Sequence, residues 1–234
     1  MSGQKPETIL ESTADDVKDT SSENSSSPEL APVTQSAASV TTIELLRHGA
    51  LEGDDTFRGI TDDALSNNGW EQMVAALDGK NEWDIIVTSP LSSCREFAEV
   101  IAQEEEIDLE INKQFKEVNF GDWEDHTLED LMKHDADLLN AWWQSPTQIT
   151  PPNGEDFYDF RARVLKSFKI LLDEYKGKRI LIVTHSGVIR VILMNILGMQ
   201  ESNLFRLNVD YASYSKLHID KNDLSGLGTL IEHR

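Results

Sequence analysis

Two short apolar runs, each ending in a histidine, constrain this chain more than any other feature. Ile43-Glu44-Leu45-Leu46-Arg47-His48-Gly49 and Ile180-Leu181-Ile182-Val183-Thr184-His185-Ser186-Gly187 share one design. Apolar runs of this length bounded by glycine read as buried strands. Both histidines then stand at strand carboxyl ends, where open α/β sheets form their ligand crevices. Two strands that carry a histidine to the same sheet edge predict one site built by both. Gly49 lets the backbone turn sharply or approach a ligand closely.

The rest of the chain supplies the layers such strands need. Ser66 caps a predicted helix whose apolar stripe is Trp70, Met73, Val74 and Leu77. Ile85 to Thr88 is a second strand, and Ser89-Pro90 reads as an N-cap with proline at the first helical position. The helix it opens buries Leu91, Cys94, Ala98 and Ile101, and the acidic run Glu104-Glu105-Glu106 is its solvated end. A short strand at Leu109 to Ile111 precedes one or two helices over Leu128 to Trp143. A long helix from Glu155 to Tyr175 presents Phe157, Phe160, Val164, Phe168, Leu171 and Tyr175 on one face. After the second histidine strand a helix runs to Leu197 and stops at Gly198, and strands near 212–219 and 228–232 finish the chain. This alternation predicts a three-layer α/β/α sandwich around a mostly parallel sheet.

That domain is expected over residues 41–234. Residues 1–40 hold nine serines, four threonines and seven acids against two lysines. So few large apolar residues cannot offset ordering entropy, so the segment is expected to be a disordered tail. The formal net charge of −21 argues against nucleic acid or an anionic membrane as partner. No apolar run approaches the ~20 residues of a membrane span. A lone cysteine, Cys94, rules out an internal disulfide and fits a reducing cytoplasm.

Two histidines with arginines and a carboxylate, and no metal-ligand cluster, point to imidazole acting as nucleophile on an oxyanion. Imidazole suits this because its ordinary pKa lies close to neutrality. A guanidinium suits phosphate because it is always charged and donates in a fork. The first amides of the helix after His185 are expected to face the anion as well.

From about residue 42 to 219 the chain resembles the histidine phosphatase (phosphoglycerate mutase-like) superfamily. The resemblance rests on five blocks in order. They are Leu46-Arg47-His48-Gly49; Gly59-Ile60-Thr61-Asp62-Asp63-Ala64-Leu65-Ser66 with Gly69; Thr88-Ser89-Pro90-Leu91; Glu117 to Glu124; and Thr184-His185-Ser186-Gly187. Within the superfamily it is most similar to α-ribazole phosphatase-like proteins of cobalamin biosynthesis. The resemblance implies that His48 becomes a phosphohistidine and that Arg47 and His185 hold the equatorial oxygens. It implies that Glu117 protonates the leaving alcohol and later deprotonates water. Some members draw the acid from an aspartate after the second histidine, a position held here by Ser186, which leaves Glu117. The substrate is a small phosphate ester, and neither cofactor nor metal is implied.

The departures are specific. The third block ordinarily ends in an arginine that completes the phosphate pocket, and Ser93 stands there instead. Arg95 is two positions along a helix and rotated by about 200°, so it does not substitute. Arg58, beside Gly59, is the candidate to restore the charge. Three activities therefore remain open: hydrolysis of a phosphomonoester such as α-ribazole 5′-phosphate, phosphoglycerate mutase-type transfer, or phosphate binding with weak catalysis. Only 68 positions separate Glu117 from His185, short for the insertions a mutase uses to exclude water. Trp142-Trp143 is expected in the core, and His126, His134, His218 and His233 are expected to be solvated.

Overall fold

The computed structural model describes residues 40–53, 55–80, 82–220 and 228–234. The expected tail lies outside these residues, apart from Val40, which begins the first strand.

Six strands form one sheet in the order β3-β2-β4-β1-β5-β6. They are β1 (Val40–Arg47), β2 (Ile85–Thr88), β3 (Leu109–Ile111), β4 (Arg179–Thr184), β5 (Tyr214–Asp220) and β6 (Thr229–His233). Strands β3, β2, β4 and β1 are parallel, while β5 and β6 add antiparallel to the β1 edge. The predicted architecture is thus present, with the central parallel strands β2, β4 and β1 buried on both faces and β3 at the exposed edge. That explains why Ile180 to Val183 is apolar without alternation: all four are fully buried.

On one face lie α1 (Asn67–Leu77) and α2 (Ser92–Glu104), packing Met73, Leu77, Cys94, Phe97 and Ala98 onto Leu46, Ile86, Leu181 and Val183. On the other lie α5 (Phe157–Glu174) and α6 (Ser186–Ile196), packing Phe160, Val164, Phe168 and Ile192 onto Ile43, Leu45 and Ile182. Between the layers' upper edges, α3 (Leu128–His134) and α4 (Ala136–Gln144) carry a small separate core of Trp123, Leu131 and Leu139.

Local signals account for most boundaries. Ser66 caps α1, its hydroxyl accepting from the Gly69 amide at 3.0 Å. Asp156 does the same for α5, accepting from the Tyr158 amide at 2.8 Å. The expected start of α2 is corrected. Leu91, not Ser89, is its N-cap, and the Asp62 carboxylate accepts from the Ser92 amide at 2.6 Å. The Ser89 hydroxyl accepts from the Leu91 amide at 3.3 Å, just short of the helix, and lies 2.7 Å from His185 Nε2. Val74 is also misassigned to the core: it is 51% exposed, because the stripe of α1 facing the sheet is narrower than its apolar pattern.

Glu44 is a buried carboxylate inside β1, on the same face as Leu46. Trp83 Nε1 donates to it at 2.6 Å, and Arg179 and Lys216 pair with it at 3.2 and 3.5 Å. Burial alone would raise its carboxyl, but the Trp83 and Arg179 hydrogen bonds outweigh this and hold it below the usual range.

Candidate active site

Strands β1 and β4 run in register, with Arg47 opposite Thr184, so His48 and His185 are the next residue on each. The His48 amide donates to the Thr184 carbonyl at 3.0 Å, and the two rings stand 5.2 Å apart between centroids. The paired-histidine edge expected from the two apolar runs is therefore present, and it is buried. His48 is only 7% exposed and His185 3%.

His48 Nδ1 lies 2.9 Å from the Gly49 carbonyl. A carbonyl can only accept, so Nδ1 carries the proton and Nε2 keeps its lone pair. Burial, reinforced by the charge of Arg47, lowers the His48 pKa from 6.5 to about 3. The sequence expectation of an imidazole poised near neutrality is corrected accordingly. The ring is neutral because its surroundings penalise the cation, not because its pKa is close by. Burial, with His48 and Arg47 as neighbours, also pushes the His185 pKa well down.

Arg47 is held from two sides. Its Nη1 donates to the Val209 carbonyl at 2.7 Å, and its guanidinium lies 4.2 Å from the centre of the Tyr211 ring. Among the described residues its buried Nε has no hydrogen-bond partner. An orphaned donor of an always-charged group is costly without a ligand anion. Tyr211 also lies 5.7 Å from the His48 ring, presented by Ala212 in the left-handed region at φ 55°. Such strain in a non-glycine residue persists where the surroundings enforce it. Here the Ala212 amide donates to the His48 carbonyl at 3.1 Å.

Glu117 is 6% exposed and sits against the start of α6. The Gly187 amide donates to its Oε2 at 2.8 Å and the Ser186 hydroxyl at 3.4 Å. The expectation that these helix amides face an anion is thus corrected for Gly187, whose amide serves Glu117. A Cβ on residue 187 would be driven into the Glu117 carboxylate, so the close approach requires glycine. Gly49 is required for a different reason than expected. A Cβ there would strike the Gly69 carbonyl, so the approach is to the α1 terminus and not to a ligand.

The backbone around Glu117 is anchored by Arg163, which sequence reasoning passed over. Its guanidinium donates to the carbonyls of Gln114, Lys116 and Glu117 at 2.6, 2.9 and 2.9 Å. It also forks onto Glu155 at 2.6 and 2.9 Å. Glu124 closes the block. Its carboxylate accepts from the amides of Gly59, Ile60, Thr61 and Phe120 and from the Thr61 hydroxyl. Burial would raise Glu124, but the Thr61 hydroxyl and these amides hold it low. The carboxylate thereby fixes the Gly59 loop to the Glu117 segment.

A cavity of about 210 Å³ opens beside Glu117, Ser186 and Gly187. Arg58, Phe120, Trp142 and Phe205 contribute to its wall, as does Arg190, one turn beyond Ser186 on α6. Arg58 lies on the wall of this cavity, and Asp63 pairs with its Nε at 3.0 Å and shares its charge. Trp142 is only half-buried and lines this cavity, while Trp143 is 40% exposed, so the pair is not core as expected. Ser93 is buried on the first turn of α2. Its neighbour Cys94 touches the His185 ring at 3.7 Å, and burial pushes that thiol's pKa up. Arg95 lies 3.7 Å from Glu99, its i,i+4 neighbour on α2, and its Nη2 donates to the Ser92 hydroxyl at 3.4 Å. Among the described residues no helix is long and apolar enough to cross a membrane.

The family model for the histidine phosphatase superfamily (branch 1) matches residues 43–227. A bifunctional protein of Mycobacterium tuberculosis is 33% identical over 180 residues, covering 75% of this chain and 49% of its own length. The chain thus spans about half the length of the mycobacterial relatives it matches. An Escherichia coli protein named adenosylcobalamin/alpha-ribazole phosphatase is 28% identical over 182 residues, covering 76% of this chain and 89% of its own. The crystal structure of a putative alpha-ribazole-5′-P phosphatase from Escherichia coli superposes with a TM-score of 0.72 at 28% identity, covering 83% of this chain and 96% of its own.

Proposed function

The chain belongs to the histidine phosphatase superfamily, and we propose from that premise that it hydrolyses a small phosphate monoester through a phosphohistidine on His48. The observation that carries this reading is the fixed tautomer of His48, which keeps Nε2 unprotonated, next in sequence to Arg47, whose buried Nε has no hydrogen-bond partner among the described residues.

In the first step His48 Nε2 bonds to phosphorus as the bond to the ester oxygen breaks. Glu117, in its acid form, gives that oxygen its proton, and the alcohol leaves. Arg47 stabilises the charge on the transferring oxygens. His185 contacts the same group, held by Ser89 at 2.7 Å. In the second step Glu117 takes a proton from water, whose oxygen attacks phosphorus as the N–P bond breaks. Inorganic phosphate leaves, and His48 and Glu117 return to their starting states. Ser186 and Gly187 orient the Glu117 carboxyl, while Arg58 lines the cavity beside it.

The substrate we propose is α-ribazole 5′-phosphate or an ester of similar size, as the name of the Escherichia coli relative suggests. The net charge of −21 supports a small molecule over nucleic acid or membrane as partner. The single buried cysteine supports a reducing cytoplasm as its compartment.

A specific observation favours a second reading, phosphate binding with slow turnover. Ser93 leaves its position without a cation, Arg95 lies beside Glu99, and Arg58 is paired with Asp63. Steady-state hydrolysis of 4-nitrophenyl phosphate by the wild type and His48→Ala separates the two. Turnover that vanishes in His48→Ala supports the phosphatase. Turnover that survives it removes His48 as nucleophile, and binding without turnover supports the second reading.

A further inference from the structure

The cavity beside Glu117 has a cation that the phosphatase chemistry above does not use. Arg190 reaches its wall from α6, with Nε donating to the Leu207 carbonyl at 3.0 Å. Its guanidinium faces the Phe205 ring at 5.8 Å. These contacts fix the plane of the group but use only one of its nitrogens. Among the described residues its two terminal nitrogens have no hydrogen-bond partner, although the side chain is half-buried.

Position decides what those nitrogens meet. Glu117 marks where the ester oxygen lies, since the acid must reach the leaving group. Phosphorus lies on the His48 side of that point. The alcohol therefore extends into the cavity, whose wall is mostly apolar, with Val118, Phe120, Trp142, Ile149 and Leu204 among its residues and Arg58 and Glu155 as further charged ones. Of the two guanidiniums on this wall, Arg58 is paired with Asp63, while Arg190 makes no ion pair among the described residues and offers a fork of donors. A planar carboxylate matches that fork with two parallel hydrogen bonds. We propose that Arg190 reads a carboxylate on the alcohol half of the substrate, so that, of the esters of that size, the one hydrolysed is that of a hydroxy acid with an apolar or aromatic body and not α-ribazole 5′-phosphate, whose alcohol has no carboxylate. The inference rests on the phosphatase reading for its geometry, because that reading sets which end of the ester enters the cavity.

Paired aryl esters test it. The kcat/KM values for 4-carboxyphenyl phosphate and phenyl phosphate are measured in the wild type, Arg190→Met and Arg190→Lys. Taking the ratio of the two esters in each protein, and then comparing proteins, cancels their intrinsic reactivity. The wild type is expected to favour the carboxylate ester, and Arg190→Met to lower that ratio about 10- to 100-fold, the scale of a buried charge-assisted pair. The change falls mainly in KM, and Arg190→Lys recovers part of it. A ratio unchanged in Arg190→Met overturns the proposal. So does a loss of equal size on both esters, which would place Arg190 on the phosphoryl group.

Binding of 4-hydroxybenzoate against phenol, followed through Trp142 fluorescence, separates the two layers of the argument. If the wild type hydrolyses neither ester yet binds 4-hydroxybenzoate in an Arg190-dependent way, the phosphatase reading falls and the carboxylate site stands. Equal binding by the wild type and Arg190→Met overturns the site itself.

Discussion

Replacing Arg163 by methionine removes the clamp that holds the Glu117 backbone without touching the carboxyl itself. Five hydrogen bonds are lost, three to the carbonyls of Gln114, Lys116 and Glu117 and two to Glu155. Arg163 and Glu155 are about four-fifths buried, at 20% and 19% side-chain exposure, so solvent does little to replace the pair. Glu155 keeps one partner, the Asn119 amide at 3.3 Å. A partly buried pair broken on one side, with three carbonyls left to water, costs about 2–4 kcal/mol of stability. That loss is read from the urea midpoint. The catalytic consequence is separate. A carboxyl displaced by about 1 Å loses on the order of 10² in rate where proton transfer matters. Proton transfer matters for phenyl or alkyl esters, whose alkoxides leave poorly, and little for 4-nitrophenolate. The variant is therefore expected to lose about 10²-fold in kcat on phenyl phosphate and only a few-fold on 4-nitrophenyl phosphate. Equal losses on the two esters in folded protein would refute Arg163 as a positioning residue for the acid, and no loss would refute the clamp altogether.

Further outcomes follow from other contacts. Ser93→Arg is expected to raise turnover by on the order of 10²–10³ if the pocket lacks a cation, and unchanged kcat would show that Arg47 and Arg58 suffice. Stability should fall with acidity through His48: its folded pKa near 3 lies below the ordinary 6.5, so the unfolded chain binds the extra proton first. The stabilisation from a neutral His48 is complete above 6.5 and is lost as pH falls toward 3, so urea midpoints of the wild type should drop more steeply across that window than those of His48→Gln. Parallel curves would contradict the depressed pKa. Glu44→Ala strips the partner from Trp83 Nε1, Arg179 and Lys216 and is expected to cost about 2–4 kcal/mol in urea unfolding, with kcat of the folded fraction unchanged.

Much of the site was legible because it depends on strand ends. Once two apolar runs are parallel and in register, His48 and His185 must meet, and no distant contact is needed to see it. The chain order of the layers was legible for the same reason, since helical and strand periods differ. What the sequence hid depends on tertiary approach. Arg190 and Tyr211 reach the site from α6 and from the loop before β5, and nothing local marks Tyr211 as a neighbour of His48 or Arg190 as part of the cavity beside Glu117. A cue existed for Arg190, which is four residues after Ser186 and so on the same helix face. Ser89 was misread because a hydroxyl before a helix satisfies the capping pattern, whereas here it accepts from the Leu91 amide beside His185, and Asp62 caps instead. The sequence points Gly49 toward a turn or a ligand, whereas its close approach is to the Gly69 backbone, a partner only the fold reveals.

The central claim is that His48 carries the phosphoryl group between the two half-reactions. Wild type mixed for milliseconds with a ³²P-labelled aryl phosphate, quenched in alkali and digested, should yield an acid-labile, base-stable label on the peptide containing His48. The same label should be absent from His48→Ala and should persist in Glu117→Gln with a good leaving group, where the acid is not needed to form it but the base is needed to remove it. Active enzyme with no labelled peptide in either the wild type or Glu117→Gln, or a label that remains in His48→Ala, would contradict it.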